Sequence, residues 1–200
     1  MSKNFLIYGF FSFLTAGISF TIVPLLSHYL TKADFGLIGL FGVAIKLFTP
    51  IIGLSMNTII SRSYYLRKDL GQLLGSAFIL VLMLTLLVFC ILILLPNILY
   101  VSMGFKRELA LISLSASFFM TISVTLLAFL QMQEKPVYWG ISMTANTLVS
   151  VALTLLLIVL FEPNYLSRVV GIVFGQILSA LVAYYFAKKF IKISFTITPE

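Results

Sequence analysis

Six stretches of this chain, residues 5–28, 36–60, 73–95, 109–131, 139–161 and 169–187, are apolar and, with one exception, free of charged side chains. Each reaches the roughly 20 residues that a helix needs to cross the hydrocarbon core of a bilayer. Hydrophobic residues make up 61% of the chain and charged ones 10%, where ordinary globular chains have about 45–50% and about 25%. A soluble domain this apolar could not cover its own core. Open strands cannot satisfy their backbone groups in lipid, and the alternating pattern of a barrel is missing, so every stretch is expected to be helical. The fold class is all-α: a polytopic membrane protein of six transmembrane helices.

The connections are short and carry the breakers and charges: Lys32 to Asp34, Arg62 to Asp69, Pro96 to Glu108, Glu134 to Pro136, and Glu162 to Arg168. Residues 4 to 31 hold no Lys, Arg, Asp or Glu, too long a run for the 7–15 residue core of a cleaved leader, so the first span is expected to be retained. Counting Lys and Arg by side orients the chain. Lys3, Arg62, Arg67, Lys68, Lys135, Lys188, Lys189 and Lys192 fall on one side, and Lys32, Lys106, Arg107 and Arg168 on the other. Eight against four puts both ends of the segment in the cytoplasm, where Tyr64, Tyr65, Tyr138, Trp139, Tyr184 and Tyr185 form an interfacial belt. The net charge of +7 is spent on this topology, and no basic face suggests a nucleic-acid partner. Cys90 lies in an apolar run and reads as a small packed side chain.

The exception is Lys46, the one charge inside any span. A lysine near mid-bilayer costs roughly 2.5–3.5 kcal/mol on insertion scales and usually faces a bundle interior or a watery cavity. On a helical wheel Gly39, Gly42, Thr49, Pro50, Gly53 and Asn57 share its face, while Leu37, Phe41, Phe48 and Ile52 lie opposite. Two readings stand: a tight helix contact allowed by the glycines, or the wall of a cavity, with Pro50 opening the backbone ladder beside the lysine. The cavity reading expects position 53 to be open to water and position 52 shielded.

Other spans repeat the polarity without charge. Tyr8, Ser12, Thr15 and Ser19 align in the first, and Trp139, Ser142, Asn146 and Ser150 in the fifth. The fourth scatters Ser113, Ser115, Ser117, Thr121, Ser123 and Thr125, whose hydroxyls can bond to their own helix. Gly171, Gly175 and Ser179 make a small-residue packing row in the sixth, with Gln176 beside it as either a lumen residue or an interhelical bond. Asn57 and Asn146 are open between packing and cavity. The third span, 73–95, is nearly devoid of polar residues and is expected to be the most lipid-exposed. All six carboxylates lie outside the spans, and no catalytic constellation, metal-ligand cluster or phosphate loop can be assembled. Neither an enzyme nor a cofactor-dependent protein is expected. The cationic, hydroxyl-lined interior suits an anionic or sugar-bearing substrate.

Several connections resemble a known family. The segment LSHYLTKADFGLIGLF, residues 26–41, with its Leu30-Thr31 and Asp34-Phe35-Gly36, resembles the first external loop of Wzx-type polysaccharide flippases. These belong to the multidrug/oligosaccharidyl-lipid/polysaccharide exporter superfamily. NTIISRSYY, residues 57–65, is similar to the family's basic-aromatic exit from the second helix, and LLAFLQMQEKPVYWG, residues 126–140, to its turn between the fourth and fifth. The resemblance implies one lobe of a transporter built from two six-helix lobes around a central cavity, here the N-terminal lobe, with the second as partner. The implied activity is flipping an anionic undecaprenyl-pyrophosphate-linked oligosaccharide across the bacterial cytoplasmic membrane. The ISFTITPE tail would then open a further connection. On that reading the substrate path includes Lys46, Thr49 and Asn57, with Arg62 at the cytoplasmic mouth or as a topology anchor, and Asn146 and Gln176. The rivals are a cation-coupled exporter of the same superfamily, which would carry an acid in the membrane, and a membrane enzyme or scaffold of glycan assembly.

Overall fold

A computed structural model describes residues 2–65, 70–96, 100, 106–161 and 163–191. Arg67, Lys68, Asp69, Glu162, Lys192 and the ISFTITPE tail lie outside the described residues. The described chain is helical throughout: α1 (Ser2–Tyr29), α2 (Lys32–Gly53), α3 (Met56–Ser63), α4 (Leu70–Leu94), α5 (Arg107–Met132), α6 (Pro136–Leu160) and α7 (Tyr165–Ala187). Six of the helices are long and apolar enough to cross a membrane.

Local chemistry sets the boundaries. Thr31 accepts from the Asp34 backbone N–H (3.2 Å) while its own N–H donates to Asp34 Oδ2 (3.1 Å), a reciprocal cap that starts α2 four residues earlier than hydropathy suggests. Asn164 Oδ1 accepts from the N–H groups of Leu166 and Ser167, which starts α7 at Tyr165 and takes Arg168 into the helix. Pro136 opens α6, where its missing N–H costs nothing. The expected second span, 36–60, is not one helix. It breaks at Leu54 and Ser55, both left-handed (φ 41° and 55°), and α3 completes it.

The centre of the bundle is α5, which α2, α3, α4, α6 and α7 all contact; α7 also packs on α6, and α6 carries α1. More than half of the α5 membrane window is buried, 56%, against 6% for α1. Hydroxyls fill its interior at no cost in unpaired groups. Ser113, Ser117 and Thr121 donate to the carbonyls of Ala110, Ser113 and Ser117 at 2.7–2.9 Å, as expected for self-satisfied packing residues. Ser123 crosses to Ser179 of α7 at 2.6 Å.

The small-residue row of α7 is a close approach to α6. A Cβ on Gly171 would collide with Thr154, and one on Gly175 would lie 2.7 Å from Asn146 Oδ1. Gly140 of α6 is covered in the same way by the Phe11 ring of α1. By burial within the bundle α1 is more open than α4, with 6% of its window buried against 17%. The two helices differ in what they expose. α4 presents Leu82, Met83, Leu86 and Leu87, whereas the open flank of α1 mixes Phe10, Phe13 and Phe20 with Ser12, Ala16, Gly17 and Ser19.

Candidate functional site

Pro50 is where the second span departs from a regular helix. It has no N–H to give the Lys46 carbonyl, and its ring pushes that carbonyl aside. One turn later the Leu54 N–H still reaches the Pro50 carbonyl (3.0 Å), and then Leu54 and Ser55 turn left-handed. Two such non-glycine residues cost roughly 1–2 kcal/mol each. The bend persists because both flanks are locked: Ile52 and Ile60 are fully buried, and Gly53 lies against Thr121, whose Cγ2 would be 3.0 Å from an added Cβ. Non-helical backbone at membrane depth is tolerated only where protein or a watery cavity surrounds it.

A cavity of about 180 Å³ sits at this break, lined by Thr49, Pro50, Gly53, Ser55, Met56, Asn57, Thr121, Val124 and Thr125. The Thr49 and Thr121 hydroxyls donate to Ile45 and Ser117 carbonyls, so what they offer the cavity is acceptor capacity. Asn57 adds an amide able to donate and accept.

Lys46 is not part of that lining. Its side chain is exposed on α2, as are Val43, Leu47 and Pro50. The greasy face, Phe41, Ile45, Phe48 and Ile52, is buried against α5 and its neighbours. A Cβ on Gly39 or Gly42 would meet nothing within 4 Å, so among the described residues nothing packs on that part of the Lys46 stripe. Gly53 lines the cavity with Thr49, Pro50 and Asn57, as the wheel groups them, yet like Ile52 it is buried, contrary to the expectation that position 53 is open. The cause is the break itself, which draws the end of α2 onto Thr121. For the same reason the wheel does not run on to α3. Asn57 meets Thr49 through the cavity and not through a continuous face, and Arg62 is exposed on α3.

Asn146 and Gln176 are not among the residues of this cavity. Asn146 packs against Gly175 in the α6–α7 seam, and Gln176 is half-buried next to it on α7. The residue that sequence reasoning misses is Arg168. It was assigned to the connection ahead of the sixth span, yet it lies in the first turn of α7, and its Nη1 donates to Ser150 Oγ (3.2 Å) and Thr154 Oγ1 (3.3 Å) of α6. Lys46 is therefore not the only cation in a membrane-length helix. The signal was present in Asn164, a capping residue whose position fixes the helix start.

The segments that carry the family resemblance have structural work to do. Asp34 completes the cap of α2 and, through Oδ1, accepts the Tyr165 N–H of α7 at 3.2 Å. Phe35 packs on the Ile22, Leu26, Leu30 and Ile158 cluster. At the opposite end Trp139 stacks edge-on against Tyr8, with ring centroids 5.1 Å apart. The model of the family described as polysaccharide biosynthesis protein matches residues 1–199, nearly every position. The chain belongs to that family. No curated protein and no solved structure matches it. As a polysaccharide biosynthesis protein with six membrane-length helices, it is a multi-pass membrane protein with a role in making or exporting polysaccharide.

Proposed function

We propose that this polysaccharide biosynthesis protein is one lobe of a flippase of the Wzx type that moves an undecaprenyl-pyrophosphate-linked oligosaccharide across the bacterial cytoplasmic membrane, with both ends of the segment cytoplasmic. It acts as a transporter and not as an enzyme, and a second six-helix lobe covers the face left open here. The carrying observation is the two-sidedness of α2: its bulky face is buried, while Lys46, Gly39 and Gly42 open outward from the bundle. A cation on such a face suits a pyrophosphate or acidic sugar, since an ammonium offers three donors and no acceptor. The break cavity beside it adds neutral hydrogen-bonding groups at Thr49 and Asn57, in keeping with the way discontinuous helices build solute sites in transporters. Arg62, exposed on α3, is the second cation on the path.

The test is polysaccharide export in a strain lacking the native protein. Lys46→Ala is expected to abolish export at unchanged membrane level and topology, and Lys46→Arg to retain more of it. Normal export by Lys46→Ala would remove the anion-binding role.

A further inference from the structure

At the end of the bundle where α6 begins and α7 ends, two lysines share one island of aromatic rings. Tyr138 stacks on Phe186 with centroids 4.6 Å apart and leans on Phe190 at 5.8 Å. Lys189 Nζ lies 4.8 Å from the Tyr185 ring centre, 5.4 Å from Phe186 and 5.8 Å from Tyr138. Lys135 Nζ lies 5.3 Å from the Phe190 ring centre. We propose that this island is a binding site for the phosphate-bearing headgroup of an anionic phospholipid, independent of the transport path.

Three features carry it. Rings hold each ammonium from one side and leave N–H donors free on the other, so both cations are positioned before any anion arrives. The island straddles one end of the membrane-length parts of α6 and α7: Tyr138, Tyr185 and Phe186 lie in their terminal turns and Lys135, Lys189 and Phe190 just beyond, the level at which such rings meet headgroups. And the apolar surface needed for acyl chains continues from it. Ile141 is one turn deeper than Tyr138, and Leu181 one turn deeper than Tyr185; both are exposed, as are Val137 and Tyr185 itself. A soluble anion would use the cations and leave that surface idle, whereas a phospholipid uses both.

The experiment is native mass spectrometry of the intact protein, released from phosphatidylcholine discs containing graded phosphatidylglycerol. Phosphatidylglycerol retention is expected in the wild type, and Lys135→Gln/Lys189→Gln should weaken it about thirty-fold, the loss expected for two interfacial cations. Lys135→Arg/Lys189→Arg should retain it, which separates loss of charge from loss of fold. Tyr138→Leu, which keeps both charges, should weaken it by a smaller factor. The proposal is overturned if the double Gln variant retains lipid like the wild type, or if Lys3→Gln/Lys32→Gln, with the same loss of charge, weakens it equally. Displacement of the lipid by millimolar inorganic phosphate would also overturn it, by showing a site for the free ion.

Discussion

α5 and α2 are both membrane-length helices with a face of small residues, six Ser and Thr in α5 and mostly glycine in α2, and they put them to opposite uses. α5 turns Ser113, Ser117 and Thr121 inward and satisfies each hydroxyl on its own backbone, so the hydroxyls act as compact spacers that let five other helices close in. α2 turns its bulky side inward and, among the described residues, leaves Gly39 and Gly42 uncovered and Lys46 exposed. What separates them is whether each polar group can be satisfied by its own helix: a hydroxyl can, an ammonium cannot.

Substitutions test that contrast at several sizes. The largest effect is expected where the packing is closest: Gly175→Leu drives a side chain into Asn146 and should cost at least about 3 kcal/mol, read as loss of folded protein in detergent thermal scans. Gly42→Leu on the open stripe should leave the same scan unchanged, and an equal loss would mean that the stripe is packed after all. Next comes accessibility, measured with a polar maleimide after Cys90, itself exposed, is replaced by Ala. A cysteine introduced by Gly42→Cys should label at least about tenfold faster than one introduced by Gly53→Cys, because reaction needs an exposed thiolate. Comparable rates would erase the distinction between the open stripe and the buried end of α2. The smallest effect belongs to Ser123→Ala, which removes one bond between buried hydroxyls and should cost about 0.6 kcal/mol, the average for interhelical bonds in membranes.

Much of this architecture is legible in the sequence, and the places where it is not have physical causes. Hydropathy finds all six spans because the bilayer imposes a length on each. The row of Gly171, Gly175 and Ser179 announces the α6–α7 seam for an equally direct reason: only small residues let backbones come that close. The break at Leu54 and Ser55 is hidden, since neither is a glycine and Pro50 alone usually kinks a helix without ending it. The left-handed turn is held by Gly53 against Thr121, a contact between residues far apart in the chain. At that hidden break Gly53 is buried against Thr121, where a wheel alone leaves it open. Arg168 was lost for a different reason: hydropathy dates the start of a helix by its first apolar residue, while the backbone dates it by its cap, Asn164.

The bond from the Tyr165 N–H to Asp34 joins residues 131 apart, yet Asp34 belongs to the first corner of the chain to be made. By the time α7 leaves the ribosome, α1 and α2 have long been synthesised, with the second oxygen of that carboxylate still waiting for its donor. The described helices therefore close like a clasp, the corner between α1 and α2 fastened by α7, and a nascent chain halted before Tyr165 keeps that corner open.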